Sequence, residues 1–180
     1  MKVRRTAIPD VVVVEPEVFG DQRGFFLESW NQREFDRAGI RAHFVQDNLS
    51  RSAGGVLRGL HYQLRQPQGK LVRVMRGEIY DVAVDIRRSS ATFGKWVGER
   101  LAAAEHAMIW IPSGFAHGFL VLSDAAEVFY KATDYYAPEH ERTIAWNDPD
   151  LAIGWPLDGQ PILSAKDRQG TAMSAAECFA

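Results

Sequence analysis

Leu71-Val-Arg-Val-Met-Arg-Gly-Glu-Ile-Tyr-Asp-Val-Ala-Val-Asp-Ile86 is the stretch on which the fold turns. Its halves, Leu71–Arg76 and Glu78–Ile86, are rich in Val, Ile and Tyr, residues that suit a pleated, half-buried surface. Gly77 separates them as turn punctuation would. In the second half the side chains alternate: Tyr80, Val82, Val84 and Ile86 fall on one face, and Ile79, Asp81, Ala83 and Asp85 on the other. For a lone strand the better place for the two carboxylates is solvent. In a small barrel with a ligand cavity the polar face turns inward instead. The pattern leaves both placements open.

Working outward, Val11–Val14 is a β-branched run ended by Pro16. Trp96–Ala102, Ala107–Ile111, Gly118–Leu122 and Glu127–Ala132 are further strand candidates. Only two segments read as helix. Asn31-Gln-Arg-Glu34 joins an N-cap residue to a glutamate three positions on, and the segment stops at Gly39. The tail after Leu163 is a weaker signal, with Ser164 as its cap. No repeat, low-complexity run or linker divides the chain, so residues 1–180 are expected to form one domain. Many short strands separated by Gly, Pro and Asp predict an all-β sandwich or jelly-roll barrel with a few short helices.

The chain has 180 residues, 46% apolar and 24% charged, with a formal net charge of -2. That length supports a core without metal or disulfide staples. The charge balance argues against a nucleic-acid module, which carries a marked basic excess. An anionic ligand would have to be met by a few placed cations. The one cysteine, Cys178, cannot form an internal disulfide, which fits a reducing compartment. No apolar run is long enough for a signal core or a membrane span. The expected setting is cytoplasmic, with neither membrane nor nucleic acid as partner.

Three blocks carry residues able to do chemistry. In Gly55-Val-Leu-Arg-Gly-Leu-His-Tyr-Gln63, Arg58 stands three residues before His61. In an extended strand the two point to opposite faces, and they share a ligand only if Gly59 bends the chain. In Gln68-Gly-Lys70-Leu-Val, a lysine opens an apolar strand. In Ile111-Pro-Ser-Gly-Phe-Ala-His117-Gly-Phe, a Pro-x-Gly turn aims a histidine from the start of the next strand. Taken singly, each is an ordinary hydrogen-bonded or solvated polar residue. Their joint order and spacing say more.

The Pro-x-Gly-x-x-His element resembles the second motif of the cupin superfamily, many of whose members are metalloenzymes. The first cupin motif offers His-x-His followed by a glutamate, and the matching stretch here reads His61-Tyr-Gln63. His43, His106 and His140 lie outside these blocks. Two separated histidines without a third ligand make a poor transition-metal site, so none is expected.

The resemblance narrows when the runs are read in order. GDQRGFFLESW, GVLRGLHYQ, QGKLVRVMRGEIYDVAVDIR, IPSGFAHGFLVLSDAAEVFYKATDYYAPEHE and LSAKDR are similar to those of the dTDP-4-dehydrorhamnose 3,5-epimerases. The similarity runs from about residue 4 to residue 170. It implies a cupin-type jelly roll and a cofactor-free isomerase acting on dTDP-4-dehydro-6-deoxyglucose in dTDP-rhamnose biosynthesis. The sugar's C4 ketone acidifies the hydrogens on C3 and C5. Loss of either gives an enolate, and return of a proton to the opposite face inverts the centre. A base, an oxyanion stabiliser and a second acid suffice for this.

By resemblance, His61 is the general base, paired with Asp167, which would fix the imidazole tautomer and stabilise the imidazolium. Lys70 matches the lysine beside the C4 oxygen, and Tyr130 the tyrosine that delivers a proton from the other face. Asp81 is expected near Lys70 and His117 on the inward face, orienting them, with His117 at the substrate. Arg23 and Arg58 match pyrophosphate positions, where a planar guanidinium fits well. Tyr136 matches a residue that stacks on the thymine base. Phe26, Glu28, Gln46, Asn48 and Glu141 match other nucleotide-site positions. The family resemblance further implies a homodimer with exchanged N-terminal strands, so that Arg23 and its neighbours serve the partner's site. Trp30 and Ala132 depart from the family pattern, but neither removes a functional group.

Three rivals share parts of this pattern. Mono-epimerases of antibiotic-sugar pathways, inverting only C5 or only C3, keep the same His, Asp and Lys. A metal-dependent cupin oxygenase needs ligands that are missing here. A non-catalytic sugar-nucleotide-binding cupin would not need His61, Lys70, Tyr130 and Asp167 together.

Overall fold

Strand-forming runs must satisfy their backbone N–H and C=O groups by pairing, and in the computed structural model, which describes residues 1–180, they do so as thirteen short strands. These begin with β1 (Lys2–Arg5), β2 (Val12–Glu15), β3 (Val18–Asp21) and β4 (Gly24–Leu27). After the helix α1 (Gln32–Arg37) come β5 (Gln46–Ala53), β6 (Leu57–Gln63), β7 (Lys70–Arg76) and β8 (Glu78–Asp85). The series ends with β9 (Trp96–Ala102), β10 (Met108–Ile111), β11 (Phe115–Val121), β12 (Ala125–Ala132) and β13 (Glu141–Thr143).

All pairings between these strands are antiparallel. One sheet has the order β1-β2-β10-β7-β12-β5, a second the order β13-β6-β11-β8-β9, and β3-β4 stand apart as a hairpin. Leu71–Ile86 therefore crosses between sheets, with β7 in the first and β8 in the second. The crossing is at Gly77, whose φ of +80° and tight fit leave no room for a side chain, since a Cβ there would lie 2.1 Å from the Ala125 carbonyl oxygen. Two facing antiparallel sheets joined in this way form the expected cupin-like jelly roll.

Val13, Val72, Ile109 and Val128 of the first sheet pack against Ile79 and Leu101 of the second. The outer face of the second sheet is also buried: Tyr62, Val82, Val84 and Ile86 are covered by Ile144, Leu151 and Met173 of the C-terminal segment. Both faces of β8 are therefore inside the molecule, and Asp81 and Asp85 are fully buried. The solvent placement preferred for a lone strand is corrected. The tail covers the Val/Ile face, and the acidic face looks between the sheets. Asp85 is held there by hydrogen bonds from Arg87, Ser90 and Thr92, while Asp81 is bonded to His117, which lines the cavity described below.

Helix α1 begins as its sequence implies. Asn31 Oδ1 accepts from the Arg33 and Glu34 N–H groups, and the segment ends at Gly39 with φ +85°. Phe35 anchors it with Val12, Val14 and Leu71 on the outside of the first sheet; burying such a side chain contributes about 1.5–3 kcal/mol. The tail after Leu163 is not a helix. It makes two 3₁₀ turns, Asp167–Gln169 and Met173–Ala175, because Ser164 Oγ bonds the Asp167 N–H (3.1 Å) and carboxylate (2.6 Å) and closes the chain locally. β11 starts at Phe115 rather than Gly118, taking His117 into the strand. Edge strand β5 escaped notice because its inward residues, Gln46, Asn48 and Ser50, are polar. No helix is long and apolar enough to cross a membrane.

Candidate active site

The site begins with two glycines facing each other. His61 pairs with His117 and Arg58 with Phe119, so two residues of β6, Gly59 and Leu60, oppose one of β11, Gly118, a β-bulge. Gly59 has φ +126°, and a Cβ on it would lie 2.5 Å from Gly118 Cα. A Cβ on Gly118 would lie 2.6 Å from the Arg58 carbonyl oxygen. Only glycines allow this approach, and the extra residue turns Arg58 and His61 to one face. Both line a cavity of about 330 Å³ between the sheets, together with Lys70, His117 and Tyr130.

Lys70 stands opposite Ala132 on β12, and Tyr130 is two residues before Ala132 on the same face. This places the Lys70 ammonium 5.8 Å from the centre of the Tyr130 ring. Burial pushes Lys70 down to about 8, against the pull of Glu141 and Asp81. Burial also raises the Tyr130 phenol, so it stays protonated at neutral pH.

His61 Nε2 lies 2.7 Å from Asp167 Oδ1. Burial would raise the Asp167 carboxyl, but hydrogen bonds from His61, Ser164 Oγ and the Gly59 N–H hold it at about 2. A carboxylate that acidic has no proton to give, so Nε2–H is the donor and Nδ1 is the free basic nitrogen. Burial lowers His61 from the ordinary imidazole range and outweighs the pull of Asp167. At neutral pH the ring is an uncharged base, poised by a buried carboxylate to stabilise the charge it gains.

A second His–Asp pair lies on the neighbouring strands, with His117 Nε2 2.9 Å and 3.0 Å from the two oxygens of the fully buried Asp81. Toward the mouth, Glu141 accepts from Tyr136 OH at 2.9 Å and from Lys166 Nζ at 2.8 Å. Burial opposes ionisation of Glu141, but these bonds win and hold its carboxyl low. Glu141 in the cavity wall is thus bound to Lys166, and the carboxylates of Asp167 and Asp81 to His61 and His117. Arg58, bonded through Nε to Ser52 Oγ, and Lys70 are left as cations without a carboxylate partner. Gln46 donates to Asn48 Oδ1 and accepts from the Tyr136 N–H. Asn48 Nδ2 is buried with no partner, a donor whose desolvation costs about 1–3 kcal/mol until something accepts from it.

His61, Lys70, Tyr130, Asp167, His117, Asp81, Arg58, Gln46, Asn48, Tyr136 and Glu141 are thus brought to one place. Arg23, Phe26 and Glu28 are not. Arg23 and Phe26 sit on the β3–β4 hairpin and Glu28 just past it, all exposed, with Arg23 bonded to Asp21. Lys166, Gln68 and Ser50 line the cavity and were missed by the sequence reading. Lys166 adjoins Asp167 and Gln68 lies two residues before Lys70, so nearness in the chain to residues that were singled out was the usable signal. No three His, Cys, Asp or Glu side chains converge as a metal-ligating group.

The sequence profile of dTDP-4-dehydrorhamnose 3,5-epimerase matches residues 5–175. A dTDP-4-dehydrorhamnose 3,5-epimerase of Pseudomonas aeruginosa is 66% identical over 180 residues, covering 99% of both chains. The dTDP-6-deoxy-D-glucose-3,5-epimerase of Legionella pneumophila, solved with dTDP-4-keto-L-rhamnose, superposes with a TM-score of 0.95 at 51% identity, covering 98% of this chain and 94% of that one. A 3'-monoepimerase of Streptomyces bikiniensis, solved with dTDP-quinovose, superposes with a TM-score of 0.87 at 33% identity, covering 94% and 87%. Matched over nearly its whole length in this way, the chain belongs to the dTDP-4-dehydrorhamnose 3,5-epimerase family.

Proposed function

We propose that the chain inverts C3 and C5 of dTDP-4-dehydro-6-deoxyglucose, giving dTDP-4-dehydro-L-rhamnose in dTDP-rhamnose biosynthesis. The observation that carries this reading is the Asp167-bound His61 sharing one cavity with Lys70 and Tyr130. His61 Nδ1 takes the proton from carbon; the C–H electron pair moves into the ring as the C4 carbonyl becomes an enolate oxygen. The Lys70 ammonium stabilises that oxygen. Tyr130 then gives its phenolic proton to the opposite face of the carbon, inverting it.

The rest of the cavity suits a nucleoside diphosphate. Arg58 offers a guanidinium to the pyrophosphate, Asn48 Nδ2 an unused donor, and Tyr136, 53% exposed, a flat ring for the base. Gln46 and Glu141 hold that ring in place. Inversion of both centres rather than one is supported by 66% identity to a 3,5-epimerase against 33% to a 3'-monoepimerase.

Four finer points belong to this reading. The chemistry needs no metal, since the Lys70 ammonium supplies the positive charge at the enolate oxygen and no third ligand converges with His61 and His117. The whole of 1–180 acts as one epimerase domain, in the cytoplasm. The chain works as a homodimer, with Arg23, Phe26 and Glu28 of each hairpin completing the partner's nucleotide site. Exposure of Phe19, Phe25 and Phe26 at 57%, 60% and 70% supports a covering partner.

The test is NMR of the purified protein with dTDP-4-dehydro-6-deoxyglucose in D₂O, without added metal. Deuterium at both C3 and C5, followed by conversion to dTDP-rhamnose with a 4-keto reductase, is expected. Label at one centre only would make it a mono-epimerase. Folded protein giving no label would end the enzymatic reading for this substrate.

A further inference from the structure

Two cavities meet at the catalytic groups. The mouth, about 330 Å³, opens past Asn48, Arg58 and Lys166. Behind it lies a smaller space of about 80 Å³, walled by Gln63, Ile111 and Phe115 and reaching Pro67 and Phe179 at its rim. His61, Lys70, His117 and Tyr130 line both. A water needs roughly 10–15 Å³ of such space and two or more polar partners, so the rear cavity has room and partners for several.

The need for such a space follows from the proposed double inversion, on which this inference rests. After one inversion His61 is an imidazolium and Tyr130 a phenolate, yet the second inversion needs imidazole and phenol again. Acid and base act on opposite faces of the sugar, so the sugar itself blocks a direct return of the proton. The nucleotide fills the mouth.

We propose that the rear cavity carries a chain of waters that returns the proton from His61 to Tyr130 between the two inversions while the sugar nucleotide stays bound. The imidazolium N–H bond breaks as an O–H bond forms on the first water. Each water passes one proton on, and the last transfer makes the Tyr130 O–H bond. No net proton is gained or lost. Because the chain reaches the rim, solvent hydrogen enters at each inversion. Lys70, 5.8 Å from the Tyr130 ring centre, stabilises the phenolate during the return.

The rear wall can be changed without replacing a catalytic group, Ile111 standing opposite Lys70 in the β10–β7 ladder and Phe179 lying on the C-terminal tail. Ile111 is a core residue at the end of β10, 1% exposed. Phe179 is held by its backbone, its N–H to the Ile86 carbonyl at 3.1 Å and its carbonyl from the Arg88 N–H at 2.9 Å. Ile111→Phe fills the cavity from inside, and Phe179→Trp narrows it at the rim. In D₂O the first exchanged centre is expected to label at close to the parent rate. The doubly inverted sugar should form about tenfold more slowly, with the singly inverted sugar accumulating in solution. Phe179→Ala, which widens the rim, should keep the parent ratio. If Ile111→Phe does not fold, Phe179→Trp carries the test. Folded filling variants with the parent ratio of single to double inversion overturn the water chain while leaving the double epimerase standing. Exchange at only one centre in the unmodified protein overturns both.

Discussion

The pocket and the β3–β4 hairpin are organised in opposite ways. In the pocket, order comes from partners far apart in the chain, as in His61 with Asp167 and His117 with Asp81. Both aspartates are at most 3% exposed, and removing either would leave a cavity histidine without its partner. In the hairpin, Arg23 is bonded to Asp21, two residues away, and three phenylalanines face outward. Groups that must hold a proton to a fraction of an ångström are over-determined by the core. Groups that bind are left free to meet what comes from outside. The difference predicts where substitutions will be felt: the pocket should govern turnover, and the hairpin affinity.

The sharpest way to break that contrast is His61→Asn, which removes the base and, because its amide ends where Nδ1 stood, gives up the Nε2 bond to Asp167 as well. Turnover should fall by about 10²–10⁴ with little change in KM, as measured by initial rates of solvent exchange. An Asn variant retaining turnover would show the base to be elsewhere. Lys70→Met keeps the stem and removes the cation, and should cost about 10²–10³ in kcat. A rise in KM alone would make Lys70 a binding group like those of the hairpin.

Arg23→Ala should act the other way, raising KM about tenfold with kcat nearly unchanged, the loss expected for one charge-assisted hydrogen bond. Mixing inactive His61→Asn protein with Arg23→Ala protein should regain parent-like KM at a fraction of the sites if hairpins serve partners. No gain would confine each hairpin to its own chain.

The smallest effect is on pH dependence, which belongs to the pocket alone. Burial lowers His61, so its base form survives further into acid than a free imidazole's, and the acid limb of kcat/KM should lie below the usual value of 6.5. Lys70 loses its proton as pH rises through about 8, so the alkaline limb should begin there. Lys70→Arg should move the alkaline limb upward; an unmoved limb would assign it to another group.

Much of the site was legible because its residues sit in short runs with recognisable order. Arg58 and His61 were visible, as was the condition that Gly59 must bend the chain for them to meet. That Gly118 is the surface against which it bends was not, because the two lie on different strands. Asp81 shows the same limit. Its alternation with Ile79 and Ala83 was plain, but that neither side meets water depended on a tail that begins about sixty residues later. The role of the tail was misjudged for a related reason: Ser164 and Asp167 close on each other and on His61, and local propensity does not register a partner that is not local.

By itself, the sequence determined the strand-rich character of the chain, the helix cap at Asn31, the turn at Gly77 and the set of ionisable residues available. These follow from local backbone preference and side-chain chemistry. Tertiary structure alone decided that β7 and β8 part into facing sheets, that Asp81 and Asp167 become buried partners of two histidines, and that Arg23, Phe26 and Glu28 stand outside the pocket. Burial and pairing depend on what lies across the gap, and a residue's own neighbours in the chain do not specify that.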